Sequence, residues 1–203
     1  MHSVSDVYLN KSEMRKAILR DLSQLTAENK KQYSENIQNK LTKELKNRNG
    51  VWAAFMPLNS EPQLEWSAIS QNIQWCFPII TNELNEKLNE KLNENQLSFI
   101  KGATSFEKNN LGFMQPKNGE IINTSTIQGF IVPGLAFDVH GNRLGRGQGY
   151  YDQTLKNYKG FIFGVCFHTA LKDQVPTEDH DLRCHLILTE NQSVVIEGVS
   201  TWN

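Results

Sequence analysis

The chain lacks the run of roughly eighteen apolar residues that a membrane-crossing helix needs, and its opening stretch, Met1 to Lys16, lacks the apolar centre of a secretory signal. A cytoplasmic location without membrane contact is therefore expected. It also lacks an excess of either charge, since 21 Lys and Arg stand against 22 Asp and Glu for a formal net charge of -1. That balance offers no electrostatic footprint for nucleic acid, so a small-molecule partner is favoured. Cysteine is scarce: Cys76, Cys166 and Cys184 form no Cys-x-x-Cys pair, which suits neither a disulfide framework nor a zinc site. Reduced thiols are expected. None of the histidines, His2, His140, His168, His180 and His185, has a partner at metal-ligand spacing.

What is present suffices for one good core but hardly two, with 38% hydrophobic residues in a chain of 203. One compact domain over residues 1–203, monomeric, is the expectation. Met14, Ile18 and Leu22 recur every fourth position after Ser12, a residue able to cap, and predict an amphipathic helix over 12–23. Lys11 and Arg15, also spaced by four, share one side of it. Thr26 caps a second helix with the stripe Tyr33, Ile37, Leu41, Leu45. Strands are predicted at Val51 to Phe55, Trp75 to Ile80, Leu97 to Ile100, Gly129 to Val132, Phe161 to Phe167, His185 to Thr189 and Val194 to Ile196. Helices are predicted at Leu64 to Ser70 and Tyr150 to Tyr158. This alternation implies an α/β layered, Rossmann-like domain with a largely parallel sheet flanked by helices, whose ligands bind beyond the carboxyl ends of the strands. The tandem Leu-Asn-Glu-Lys repeat over 82–96 reads as a solvated helix or insertion, or as a partner-binding stripe of Leu84, Leu88 and Leu92.

Chemistry concentrates in Val132-Pro133-Gly134-Leu135-Ala136-Phe137-Asp138 and in the following run from Gly141 to Asp152. Glycines at 145, 147 and 149 remove every second Cβ, so the backbone can bend tightly and turn its N–H groups toward an anion. Arg143 and Arg146 add forked donors suited to phosphate oxygens, and the predicted helix from Tyr150 points its positive end at the same place. Spacing alone leaves a plain turn as an alternative, because this is neither a Walker loop nor a dinucleotide fingerprint. Asp138 and Asp152 can equally be turn and cap residues, Tyr150 and Tyr151 packing residues, and Lys11 and Arg15 solvated cations.

The string VPGLAFDVHGNRLGRGQGYYDQTL resembles the signature of the 5-formyltetrahydrofolate cyclo-ligase family, also called methenyltetrahydrofolate synthetase. Lys11-x-x-x-Arg15, the Glu61 loop and the closing segment Val175-Pro176 to His180-Asp181 fall in the family's order. The resemblance implies an enzyme that uses ATP and magnesium to convert 5-formyltetrahydrofolate into 5,10-methenyltetrahydrofolate. It implies that Lys11, Arg15, Arg143, Gly145, Arg146, Gly147, Gln148, Gly149, Tyr150 and Tyr151 hold the nucleotide. Met56, Glu61, Arg146, Gly147, Gln148, Gly149, Tyr150 and Tyr151 are implied on the folate side, Asp152 and Asp181 at magnesium, and Arg146, Lys11 and Glu61 in catalysis. Gln148 stands where relatives commonly carry lysine or another long residue, and Gln115-Pro116 replaces the more usual Glu-Pro. A cyclo-ligase-like paralogue with a regulatory or different metabolic role is the alternative reading.

Overall fold

The computed structural model describes residues 10–80, 96–109, 112–178 and 181–198. Apart from Gln96, the Leu-Asn-Glu-Lys repeat lies outside them, as does His180. Helix α1 (Lys11–Ser23) begins two residues earlier than a Ser12 cap would place it. Asn10 is the cap instead: its side chain accepts from the Glu13 N–H while the Glu13 carboxylate accepts from the Asn10 N–H. This reciprocal pair satisfies two donors that a helix start otherwise leaves orphaned. Thr26 caps α2 (Ala27–Leu45) as the sequence predicts, and Ile37, Leu41 and Leu45 are fully buried. Each such burial stabilises the fold by about 1.5–3 kcal/mol.

The chain then alternates. β1 (Gly50–Ala53) is followed by the one-turn α3 (Trp66–Ile69), β2 (Ile73–Ile80) and β3 (Leu97–Lys101). A hairpin of β4 (Phe106–Lys108) and β5 (Met114–Pro116) leads to β6 (Glu120–Ile122) and β7 (Gly129–Pro133). After β8 (Ala136–Asp138), β9 (Arg143–Leu144) and α4 (Tyr150–Leu155) come β10 (Phe161–Val165), β11 (Leu171–Lys172), β12 (Leu186–Leu188) and β13 (Ser193–Val195). Eight strands form the main sheet in the order β13-β12-β10-β7-β1-β2-β3-β6. The five from β12 to β2 run parallel, and β13, β3 and β6 extend the edges antiparallel. Trp52, Phe130, Ile131 and Val132 on β1 and β7 are buried, as expected for strands covered on both faces. The order reverses between β1 and β7, and the crevice at such a switch point is where open α/β sheets bind ligands.

Two predicted helices are shorter in the structure, as are the strands predicted at Phe161 to Phe167 and His185 to Thr189, which cover Phe161–Val165 and Leu186–Leu188. The helix expected over 64–70 is a single turn, and the one expected over 150–158 ends at Leu155 because Tyr158 turns back to donate its hydroxyl to the Ile127 carbonyl. The short strands β4, β5, β6, β8, β9 and β11 are not legible as periodic runs, since two or three residues carry no period. All three cysteines are buried and free, and burial pushes the thiols of Cys76 and Cys184 to about 12.

Strands β8 and β9 pair antiparallel, and β11 joins β8 in a three-stranded sheet. Asp138, fully buried, organises the turn between them. Its carboxylate accepts from the N–H groups of His140 (2.9 Å) and Asn142 (3.0 Å), from the Asn142 side-chain amide (2.9 Å) and from the N–H of Val175 (3.0 Å). Asp138→Ala would orphan these donors. Because each buried unsatisfied group costs about 1–3 kcal/mol, the variant should lose roughly 3 kcal/mol or more in urea denaturation. An unchanged midpoint would contradict this reading of the turn.

Candidate active site

The carboxyl ends of β1, β2 and β7 open into a cavity of about 140 Å³. Phe55 and Met56 just beyond β1, Ile80 at the end of β2 and Pro133 at the end of β7 line it, with Tyr150 and Tyr151 from α4 and Phe113 and Met114 from the β4–β5 hairpin. Its walls are mostly apolar and aromatic, with Glu61, Arg143, Arg146, Gln148 and Asp152 among the polar groups. Such a mixture of flat apolar surface and few polar groups suits a planar heterocycle.

Beside the cavity lies a polar basin of about 320 Å³ lined by Lys11, Arg15, Arg143, Gly145, Gly147, Gly149, Asp152, Glu178 and Asp181. The two spaces have Arg143, Gly145, Gly149 and Asp152 in common, so the glycine bend is the wall between them. Gly147 and Gly149 lie at φ of 99° and 71°, the left-handed region that favours glycine, and this lets the chain bend sharply before α4. A Cβ at Gly145 would stand 2.9 Å from the Arg143 guanidinium.

Helix α1 brings Lys11 and Arg15 to this basin. Arg15 Nε donates to the Gly145 carbonyl at 2.8 Å, across 130 positions of sequence. Lys11 Nζ lies 2.7 Å from Asp181 and 2.9 Å from Glu178. Burial alone would lower the Lys11 pKa, but the hydrogen bonds and charges of Asp181 and Glu178 outweigh it and lift it above the ordinary lysine value. Lys11 is therefore charged at neutral pH. Asp152 accepts from the Leu182 N–H at 3.2 Å and faces Arg143 at 3.5 Å, which ties the start of α4 to Leu182.

Arg143 is a brace within the wall. Its Nε donates to the Pro133 carbonyl at 2.8 Å and its guanidinium lies 4.9 Å over the Tyr151 ring. Burial lifts the Tyr151 phenol well above its ordinary range, with the Arg143 charge opposing. Tyr151 is thus a protonated donor. Arg146 lines the apolar cavity rather than the basin, where its guanidinium donates to Glu61 Oε1 from Nε (3.3 Å) and Nη2 (3.2 Å), and also to the Ser60 hydroxyl. Met56 and Glu61 border the same cavity, while Gln148 at its mouth is exposed. Helix α4 spans only six residues, so its dipole is weaker than the sequence implies, and Gly149 provides no side-chain cap.

Among the described residues no group of three or more His, Cys, Asp or Glu is placed to hold a metal. Asp152 and Asp181 nevertheless border one basin, with side chains 17% and 11% exposed. That donor set fits a magnesium ion, which takes one or two carboxylates and completes its shell with phosphate oxygens and water. Sequence reasoning passed over Ser60 and Glu178. Both lie outside the regular elements, and only the proximity of a distant arginine or lysine distinguishes them.

The description of the 5-formyltetrahydrofolate cyclo-ligase family matches residues 7–190. The mouse 5-formyltetrahydrofolate cyclo-ligase is 30% identical over 112 residues, which cover 48% of this chain and 55% of that one. The chain spans about half the length of such curated relatives. The structure of Aquifex aeolicus 5,10-methenyltetrahydrofolate synthetase is similar at a TM-score of 0.74 and 25% identity, covering 95% of this chain and 96% of that one. A 5,10-methenyltetrahydrofolate synthetase from Mycoplasma pneumoniae shares the fold at a TM-score of 0.71 and 18% identity, over 90% of this chain and 99% of that one. With a match running from before α1 to beyond β12, and with the glycine bend and α1 meeting in one basin, the chain belongs to the 5-formyltetrahydrofolate cyclo-ligase family.

Proposed function

We propose that the protein uses ATP to close 5-formyltetrahydrofolate into 5,10-methenyltetrahydrofolate, releasing ADP and phosphate. The observation that carries this reading is a polar basin, lined by Lys11, Arg15 and Arg143 together with Asp152, Glu178 and Asp181, separated from an apolar cavity by a wall of glycine backbone. The triphosphate belongs in the basin, against Lys11, Arg15 and the backbone of Gly145 to Gly149. The bicyclic ring belongs in the cavity, between Met56, Glu61 and the tyrosines of α4. Since the wall has few side chains, a phosphoryl group can pass over it.

A formamide is a poor electrophile, because its nitrogen lone pair is delocalised and oxide does not leave. Transfer of the γ-phosphoryl group of ATP to the formyl oxygen gives an iminium phosphate. N10 then attacks the formyl carbon, the carbon–oxygen bond breaks, and the departing phosphate carries away the N10 proton. The closing step is intramolecular. Proteins accelerate phosphoryl transfer by alignment and charge stabilisation, which assigns that work to Lys11, Arg15 and Arg146, with no protein nucleophile. Magnesium, held by Asp152, Asp181 and the phosphates, supplies charge neutralisation when bound. Glu61 is engaged by Arg146 and by the Leu58 N–H (2.9 Å), so its role is to fix the formyl and N10 end rather than to travel with a proton.

Mixing the protein with 5-formyltetrahydrofolate and Mg-ATP should produce the absorbance of the methenyl product; nucleotide binding without product would favour the paralogue reading. Two substitutions should separate the compartments. Lys11→Ala is expected to raise the KM for ATP about tenfold with the folate KM little changed, and Glu61→Ala to do the reverse. Equal effects of both variants on both substrates would refute the division. Excess chelator should abolish turnover, and undiminished turnover would rule out the two-aspartate metal site.

A further inference from the structure

The Arg146 guanidinium is held along one edge only. Its Nε and Nη2 donate to Glu61 Oε1, and Nη2 also reaches the Ser60 hydroxyl. Nη1 makes no hydrogen bond within the described residues, and Arg146 lines the apolar cavity with its side chain 31% exposed.

The anchor itself is rigid. The Glu61 N–H donates to the Leu58 carbonyl and the Leu58 N–H to Glu61 Oε2, both at 2.9 Å, so backbone and carboxylate close the same turn. Gln63 braces it from outside, its side chain donating to the carbonyls of Leu58 (2.8 Å) and Glu61 (3.0 Å) and its N–H to the Ser34 hydroxyl of α2 (2.9 Å). The Glu61 carboxylate cannot swing without opening this turn, and Ser60 is part of it. Glu61 supplies the charge that keeps Arg146 at the cavity. One carboxylate oxygen alone, however, leaves the guanidinium plane free to pivot. A second acceptor on Nη2 removes that freedom.

We propose that Ser60 is a positioning residue that fixes the plane of the Arg146 guanidinium and thereby presents Nη1 to a substrate oxygen. Resting on the formyl-folate reading, this names the recognised group as a neutral acyl oxygen. The charge of Arg146 is already matched by Glu61, so the remaining donors favour a carbonyl over a second carboxylate. Once phosphorylation begins, the same donors face growing negative charge, where a preset geometry matters most.

The test compares Ser60→Ala and Ser60→Thr with the wild-type protein by two readouts. The first is hydrogen exchange of the Arg146 Nε–H in 15N-resolved NMR, which needs no turnover. It should be at least about fivefold faster in Ser60→Ala and near the wild-type rate in Ser60→Thr, which keeps the hydroxyl. The second is the kcat/KM for 5-formyltetrahydrofolate. It should fall about tenfold in Ser60→Ala with the KM for ATP unchanged, and recover in Ser60→Thr. Unchanged exchange in Ser60→Ala overturns the proposal, as does unchanged kcat/KM in an active enzyme or a loss that threonine fails to restore. A wild-type protein that forms no methenyl product would instead sink the reaction assigned above, with the exchange readout still deciding whether Ser60 orients Arg146.

Discussion

One hydrogen bond joins the two ends of the site: Arg15 Nε to the Gly145 carbonyl. It sets a cation from the first helix against the bend that precedes α4, and it exists only because α1 is oriented by Asn10 and Glu13 at its start and by buried Ile18 and Leu22 on its inner face. Lys11, one turn earlier on the same face, then falls beside Asp181 and Glu178. Without this contact the glycine bend would be a loop with bare backbone and no counter-charge. With it, the bend becomes one side of a basin whose other sides are cationic and acidic.

The bend divides the site as well as bordering it. Arg143 holds the bend from below, fastened to the Pro133 carbonyl at the end of β7, and Asp138 secures the turn that leads into Arg143. Through Val175 the same aspartate secures the segment that leads to Glu178. One buried carboxylate therefore sets the spacing between the two walls of the basin. The apolar cavity on the other side owes its polar end to Arg146 and Glu61, which neutralise each other across it. On the basin side Lys11 and Arg143 face carboxylates and Arg15 is bonded to a backbone carbonyl, while on the cavity side Arg146 is matched by Glu61.

Much of this was legible in the amino-acid sequence. The α2 stripe, the central strands and the parallel core follow from period and composition, and the pairing of Lys11 with Arg15 follows from a spacing of four. The glycine spacing identified the wall but not the ligand, which needed the family likeness. Other features were hidden for physical reasons. Strands of two or three residues such as β9 and β11 have no periodicity to read, and α4 stops at Leu155 because of a tertiary bond from Tyr158. Ser60 and Glu178 gain their meaning from partners far away in the chain, Arg146 and Lys11, and no local pattern encodes those pairings. Arg143 reads as a phosphate ligand because Arg beside glycines suggests one; it lines the basin, with Nε donating to Pro133 and Nη1 to Asp152.

The central claim is that α1 and the glycine bend form a single receptor for a triphosphate. Titrating 15N-labelled protein with a non-hydrolysable ATP analogue and magnesium tests it most directly. The account predicts that the amides of Gly145, Gly147 and Gly149 and the side-chain signals of Lys11 and Arg15 shift together with one dissociation constant, while those of Met56 and Phe113 in the apolar cavity move little. Shifts confined to the opposite end of the sheet, or shifts of the bend that leave α1 unperturbed, would contradict it.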